Sequence, residues 1–130
     1  MAKATLLLVE DNESLRNIYQ THLTQDGYLV LAAPDTKAAQ ILLEANRVDL
    51  VLLDIMLPDK SGLDWLKELR QNPQFVKLPV LMLTSLPDEA GFEKSQELSI
   101  HGYLAKDQTS LEQLSQRVKL ALEETSTQKS

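Results

Sequence analysis

Short apolar runs that stop at polar residues recur along the chain. The runs and the polar residues after them are Leu6-Leu7-Leu8-Val9 before Glu10-Asp11, Leu50-Val51-Leu52-Leu53 before Asp54, Val80-Leu81-Met82-Leu83 before Thr84, and Gly102-Tyr103-Leu104-Ala105 before Lys106. Runs this short, separated by segments of helix length, are typical of strands that are buried on both faces of a parallel sheet. The pattern therefore predicts an α/β fold.

Apolar residues recur at every third or fourth position in the segments between the runs. They are Leu15, Ile18, Tyr19 and Leu23, then Ala38, Ile41, Leu42 and Ala45, then Leu66 and Leu69, and finally Leu111, Leu114, Val118, Ala121 and Leu122. Each set predicts an amphipathic helix that packs on the sheet. A further run at residues 29–33 completes five strands in alternation with up to five helices, which requires right-handed crossovers. We expect one doubly wound domain over residues 5–124, with helices on both faces.

Turn and cap signals mark the ends of several elements. Pro58-Asp59 and Pro87-Asp88 predict turns or helix starts, and Ser110 with Gln113 has the form of a capping box before the last helix. Gly91 interrupts the segment 88–98, so we expect the fourth helix to be the weakest and most mobile. Residues 125–130 are polar and are expected to form a C-terminal tail.

The polar residues after the strands should meet in one place. The carboxyl ends of parallel strands lie at one edge of the sheet, where ligands of such sheets bind. Glu10, Asp11 and Asp54 would repel one another there unless a cation lies among them, and Mg²⁺ prefers carboxylate oxygens. Taken singly, each acid could instead stabilise a helix start or a turn, and Thr84 could be an ordinary strand residue. Together they predict a magnesium site with Lys106 beside it.

Composition and charge narrow the class of protein. The 130 residues, 43% of them hydrophobic, fit one globular domain. The absence of cysteine excludes disulfides and thiolate metal sites. No apolar run is long enough for a membrane span and residues 1–4 lack a signal-peptide pattern, so we expect a cytoplasmic protein without membrane contact. The net charge of −6 argues against direct binding of nucleic acid.

One set of residues, taken in order, resembles a known family. The set is Glu10-Asp11, Asp54 within Leu53-Asp54-Ile55-Met56-Leu57-Pro58 with Gly62 following, Thr84-Ser85, and Tyr103 with Lys106. From Thr5 to about Glu124 the chain resembles the receiver domain of a two-component response regulator. The resemblance implies a flavodoxin-like (βα)5 fold with a five-stranded parallel sheet in the order 2-1-3-4-5.

The resemblance also implies a phosphoacceptor site. Asp54 would take a phosphoryl group from a phosphohistidine of a sensor histidine kinase or histidine phosphotransfer protein, or from a small phosphodonor. Mg²⁺ would be held by Asp11, Asp54 and the backbone carbonyl of Met56, with Glu10 acting through a bound water. Apart from its own phosphorylation and slow dephosphorylation, such a domain signals and is not an enzyme.

The same resemblance implies a switch. Lys106 and Thr84 would contact the phosphoryl group, and movement of Thr84 would let Tyr103 turn inward. The surface formed by the fourth helix, fifth strand and fifth helix would then signal to a downstream partner or output domain. The expected protein is a monomer that can form a homodimer through this surface when phosphorylated.

The chain departs from the family pattern at two places, and two further residues bear on the lifetime of the phosphoryl group. Glu10 stands where many relatives have aspartate, and its longer side chain can still reach a metal-bound water. Asp107 stands where proline is common, and because a cis bond before a non-proline residue costs about 2.5 to 4 kcal/mol, we predict a trans bond after Lys106. Met56 and Leu86 flank the expected path of the attacking water and cannot orient it, which predicts slow self-dephosphorylation.

Three other functions compete with this interpretation. A phosphatase of the haloacid dehalogenase type needs a second aspartate two residues after its nucleophile, and this chain has Met56 there. A flavodoxin needs a loop rich in Ser, Thr and Gly after its first strand, whereas Glu10 and Asp11 would repel a flavin phosphate. A receiver used only for docking usually lacks the aspartate, the lysine or the acidic pair, and all are present here.

Overall fold

Strands and helices alternate strictly along the chain. The computed structural model describes residues 3–129, with side chains described for residues 3–124. In this range the strands are β1 (Thr5–Val9), β2 (Leu29–Ala33), β3 (Leu50–Leu53), β4 (Val80–Thr84) and β5 (Gly102–Ala105). The helices are α1 (Glu13–Gln25), α2 (Thr36–Ala45), α3 (Gly62–Arg70), α4 (Glu89–Glu97) and α5 (Leu111–Lys129), with a 3-10 turn at Lys106–Gln108. All pairings are parallel in the order β2-β1-β3-β4-β5, which confirms the predicted fold.

Two apolar layers cover the sheet, one on each face. Along β1, Leu6 and Leu8 pack with residues of α1 and α5, whereas Leu7 and Val9 pack with residues of α2 and α3. Successive residues of a strand point to opposite faces, so a strand with a helical layer on each side must be apolar throughout. This explains the uninterrupted apolar runs in the sequence.

Side-chain caps fix the helix starts. Asn12, Asp35, Ser61 and Asp88 each accept a hydrogen bond from a backbone amide in the first turn of the helix that follows. The capping box predicted for α5 is confirmed, because Ser110 Oγ accepts from the Gln113 amide at 3.1 Å and Gln113 Oε1 accepts from the Ser110 amide at 2.8 Å. Each cap contributes about 1 kcal/mol. The loops that carry the polar residues therefore end at defined positions.

The fourth helix is continuous through Gly91. A Cβ at this position would lie 2.8 Å from Tyr103 Oη, so the glycine gives the tyrosine room beneath α4. The interruption seen in the sequence is thus a packing feature of this helix. Its expected mobility stays a prediction.

Three further expectations concern the C-terminal segment, the peptide bond after Lys106 and membrane-spanning helices. The backbone of α5 is helical to Lys129, so the helix runs through most of the segment expected to be a polar tail. The domain boundary at residue 124 stays a prediction. The side chains of residues 125–130 lie outside the described residues. Residues 3–129 contain no cis peptide bond, which confirms the trans bond between Lys106 and Asp107. Among the helices in this range, none is both long and apolar enough to cross a membrane.

Candidate functional site

Three carboxylates converge at the carboxyl-terminal edge of the sheet. Val9 is paired in register with Leu53, so the residues after them, Glu10 and Asp54, leave neighbouring strands side by side. Carboxylate oxygens of Glu10, Asp11 and Asp54 all lie within 4.8 Å of one another. Glu10 and Asp54 are buried, at 1% and 5% exposure, while Asp11 is exposed. The structure thus brings the predicted acids together and leaves one of them open to solvent.

Lys106 supplies the cation that these acids require. Its ammonium forms ion pairs with Glu10 Oε1 and, at 2.8 Å, with Asp54 Oδ2. Burial acts to lower the pKa of Lys106, but its hydrogen bonds to Asp54 and Glu10 outweigh burial and raise that pKa above 10.5. Burial raises the pKa of Glu10 above 4.5, against the opposing effects of Lys106 and the Asn12 amide. Three carboxylates and one ammonium leave a formal charge of −2 when all are ionised.

Backbone amides hold the two buried carboxylates in place. Glu10 Oε2 accepts a hydrogen bond from the Asn12 amide at 3.0 Å, and Asp54 Oδ1 accepts from the Met56 amide at 3.2 Å. These bonds use one oxygen of each carboxylate, while Lys106 uses the other. Each acid is therefore oriented by one local and one long-range contact.

Arg16 is a site neighbour that sequence reasoning missed. Its guanidinium donates to the backbone carbonyls of Glu10 at 2.9 Å and Asp11 at 3.4 Å, which ties the β1–α1 loop to the first helix. The signal was a cation near a helix N-terminus, where the dipole favours acids. Such a placement is too common to single out a residue without the structure.

Gly62 lets the β3–α3 loop close on Asp54. A Cβ at Gly62 would lie 2.0 Å from the backbone carbonyl oxygen of Asp54, closer than any side chain can approach. The Gly62 amide also donates to the carbonyl of Ile55 at 2.7 Å. This explains why a glycine follows Asp54 in the sequence motif, since any larger residue would displace the backbone of the acid.

The two residues of the predicted switch occupy different places. Thr84 is buried at 1% exposure at the end of β4, and its Oγ1 accepts from the Leu86 amide at 3.2 Å. Tyr103 packs edge-on against Phe92 of α4, with ring centroids 5.5 Å apart. Its hydroxyl is buried and makes no hydrogen bond within the described residues. Tyr103 is therefore a half-buried residue that contacts α4, while Thr84 stands at the edge that carries the acids.

Met56 and Leu86 present exposed apolar side chains, 58% and 67% accessible respectively. Met56 follows Asp54 by two residues and Leu86 follows Thr84 by two. Neither side chain offers a strong hydrogen-bonding group to water. Met56 contributes to the site through its backbone.

The cluster fits a hard divalent cation. All three side chains offer carboxylate oxygen, the ligand type that Mg²⁺ and Ca²⁺ prefer. The formal charge of −2 that remains after pairing with Lys106 equals in size the charge of one such ion. The exposed Asp11 leaves a route for the ion and its waters. These residues could therefore hold a divalent metal.

Comparison with known proteins connects the site with a family. Residues 6–119 match the family model described as response regulator receiver domain. The transcriptional regulatory protein CpxR of Klebsiella pneumoniae is 43% identical over 101 residues, which cover 78% of this chain and 42% of CpxR. The regulatory protein PhoP of Bacillus subtilis is 37% identical over 101 residues, which cover 78% of this chain and 41% of PhoP. The chain thus spans less than half the length of these curated relatives.

Solved structures agree with this comparison. The BeF3-activated N-terminal receiver domain of Klebsiella pneumoniae RstA is 30% identical, with a TM-score of 0.82 over 91% of this chain and 97% of that one. The chemotaxis protein CheY4 of Vibrio cholerae is 27% identical, with a TM-score of 0.85 over 92% of this chain and 99% of that one.

Proposed function

Because the chain belongs to the response regulator receiver family, as the receiver domain of a two-component system, we propose that it accepts a phosphoryl group on Asp54. The observation that carries this proposal is the buried ion pair between Asp54 and Lys106 at 2.8 Å. It places a nucleophilic carboxylate next to a fixed positive charge at one sheet edge. Phosphoryl transfer depends mainly on such positioning and charge neutralisation.

The donor is the phosphohistidine of a sensor histidine kinase or a histidine phosphotransfer protein. A carboxylate oxygen of Asp54 forms a bond to phosphorus as the P–N bond breaks, and the imidazole leaves with the bonding electron pair. Lys106 then faces a dianionic phosphoryl group in place of a carboxylate. A small phosphodonor with a good leaving group serves the same chemistry.

In this proposal Mg²⁺ would be held by Asp11, Asp54 and the backbone carbonyl of Met56, and Glu10 would act through a bound water. When bound, Mg²⁺ neutralises charge on the phosphoryl oxygens. The chain's own part is to keep the acids together while the ion is absent, which Lys106 does by pairing with Glu10 and Asp54.

Thr84 and Tyr103 relay the event to a surface made by α4, β5 and α5. A new phosphoryl oxygen at Asp54 is a hydrogen-bond acceptor for the Thr84 hydroxyl, which now accepts from the Leu86 amide. Movement of Thr84 changes the packing around Tyr103 and shifts a two-state population. A downstream partner or output domain in the cytoplasm reads that surface, and phosphorylation favours a homodimer through it.

The direct test is intact-protein mass spectrometry after incubation with acetyl phosphate and Mg²⁺. Wild type is expected to gain one phosphoryl group, and Asp54→Asn to gain none because an amide is a poor nucleophile. Omitting Mg²⁺ should suppress the gain. Wild type that gains no phosphoryl mass would overturn the proposal, and a variant that still gains it would move the site to another residue.

A further inference from the structure

The carboxylate of Asp59 joins two parts of the molecule that are distant in sequence. Asp59 lies in the loop between β3 and α3, and three of the hydrogen bonds to its carboxylate come from the first two residues of α2. Asp59 Oδ2 accepts from Thr36 Oγ1 at 2.7 Å and from the Lys37 amide at 3.0 Å. Asp59 Oδ1 accepts from the Thr36 amide at 3.2 Å and from the Lys60 amide at 3.0 Å. One side chain thus takes part in four hydrogen bonds.

This contact is more than a helix cap. Helix α2 already has its own cap, because Asp35 Oδ1 accepts from the Ala38 amide at 2.8 Å. Asp35 and Asp59 together occupy the amides of the first three residues of α2, which otherwise lack partners within the helix. Thr36, whose hydroxyl donates to Asp59, is only 2% exposed. A buried hydroxyl and two helix amides therefore hold a loop that lies 22 to 23 residues further along the chain.

The electrostatics favour an ionised Asp59. Burial alone would raise its pKa, but the hydrogen bonds from Thr36 and Lys37 outweigh burial and lower it from 3.8 to about 2. The dipole at the N-terminus of α2 also favours a negative charge. The link is thus fully formed at any pH near neutrality.

The loop that Asp59 holds begins at Asp54, one of the three acids of the cluster. Met56 stands three residues before Asp59, and its amide donates to Asp54 Oδ1 at 3.2 Å. The other end of the loop is fixed where the Gly62 amide meets the Ile55 carbonyl at 2.7 Å. Between these two points Asp59 attaches the loop to the first turn of α2.

We propose that Asp59 is a positioning residue for the metal site. It holds the β3–α3 loop on α2, so that the Met56 backbone keeps its place relative to Asp54. The proposal rests on the proposed function, since it takes the Met56 carbonyl as a ligand of Mg²⁺. Outer partners that orient metal ligands typically change metal affinity by about 10- to 100-fold when they are removed. Linkage also requires that Mg²⁺ binding protect the contact with α2.

The experiment compares Asp59→Ala, Asp59→Asn and the matched control Asp35→Ala. Asp35→Ala removes a cap from the same helix and leaves the loop attached, so it reports the effect of a weaker α2 alone. Calorimetric titration with Mg²⁺ should show about tenfold weaker binding for Asp59→Ala. Asp59→Asn keeps one acceptor oxygen, so its Mg²⁺ affinity should fall between those of wild type and Asp59→Ala. The affinity of Asp35→Ala should stay within twofold of wild type.

A second readout does not depend on the metal. Hydrogen exchange followed by NMR in metal-free protein should show faster exchange at the Met56 and Gly62 amides in Asp59→Ala than in Asp35→Ala. In wild type, added Mg²⁺ should slow exchange at Thr36 and Lys37. Thermal melting of each variant establishes that it is folded at the temperature of the titration. If Asp59→Ala is unfolded there, Asp59→Asn is compared with Asp35→Ala in its place.

The outcomes separate this proposal from the proposed function. Equal Mg²⁺ affinity in wild type and Asp59→Ala, or an equal loss in Asp59→Ala and Asp35→Ala, would overturn the positioning role. Unchanged exchange at Met56 and Gly62 in metal-free Asp59→Ala would also overturn it. If wild type binds no Mg²⁺, the proposed metal site fails, and the metal-free exchange alone decides whether Asp59 holds the loop.

Discussion

At the scale of single residues, the site is a compromise between charges that repel and a function that needs them together. Glu10 and Asp54 are buried and share one ammonium, while Asp11 stands exposed beside them. An unpaired buried charge is costly, and Lys106 offsets that cost by pairing with both buried acids. Stability and metal binding should therefore respond in opposite directions to the loss of the exposed acid, Asp11.

Asp11→Asn should expose this conflict. Of the three acids, Asp11 is the one without an ion pair in the described structure, so the substitution removes repulsion without breaking a pair. In metal-free buffer the free energy of unfolding is expected to rise by about 1 kcal/mol, while Mg²⁺ binds more weakly. Urea unfolding with and without Mg²⁺ measures both effects. A variant that is less stable than wild type without the metal would contradict this account of the cluster.

Lys106→Met should have the opposite effect on stability. It leaves two buried carboxylates without their cation, and the expected loss is about 3 kcal/mol near neutral pH. The pKa of Lys106 is raised above 10.5, so its stabilising effect is complete below pH 10.5 and is lost as the pH rises through the folded-state pKa. The difference between wild type and variant should thus shrink in strong alkali, and also in acid, where protonation of Glu10, whose pKa is raised above 4.5, removes one of the charges that Lys106 pairs with. Urea unfolding over a range of pH tests this, with Lys60→Met of the exposed Lys60–Glu68 pair as a control that should change little.

At the scale of elements, the sequence predicted what depends on local pattern and missed what depends on long-range contacts. Strands, helices and the Ser110 capping box follow from periodicity and from side-chain chemistry within a few residues. The convergence of Glu10, Asp54 and Lys106 followed because parallel strands end at one edge. The links made by Arg16 and Asp59 did not follow, since neither spacing nor composition indicates which loop a side chain will meet.

Helix α4 also contains a long-range contact that the sequence does not indicate. In the sequence Gly91 is a poor helix residue, yet in the structure it makes room for Tyr103 Oη, 2.8 Å from where a Cβ would lie. Gly91→Ala should therefore push the Tyr103 ring outward and weaken the NMR cross-peaks between it and Phe92. In a Tyr103→Ala background the new Cβ still meets the Asp88 Oδ1 cap oxygen at 2.8 Å but no longer meets the tyrosine, so the same substitution should cost less stability than in wild type. Equal effects of Gly91→Ala in both backgrounds would show that the two residues are not coupled.

At the scale of the whole molecule, the proposed function would make residues at the rim of the acidic cluster set how long the phosphorylated state lasts. The lifetime of the phosphoryl group decides how long the shifted population persists. Met56 and Leu86 are exposed and apolar beside the residues that would hold that group. Nothing in either side chain can align an attacking water, so slow hydrolysis is expected of this chain.

Met56→Asn should shorten that lifetime. An amide can hydrogen-bond a water that faces phosphorus, and the rate of phosphate loss is expected to rise by roughly tenfold. Intact-mass measurements after removal of the phosphodonor follow the decay. Val76→Asn provides the control, because Val76 is also an exposed apolar residue, 46% accessible, but lies in the segment between α3 and β4. A wild-type half-life of seconds would refute slow hydrolysis.

The central claim is that Asp54 itself becomes an aspartyl phosphate. Borohydride reduces an aspartyl phosphate to homoserine, so treatment of the phosphorylated protein followed by peptide mapping locates the acceptor directly. The account predicts homoserine at position 54 after incubation with acetyl phosphate and Mg²⁺, and none when either is omitted. Homoserine at position 11, or phosphoryl mass with an unreduced Asp54, would contradict it.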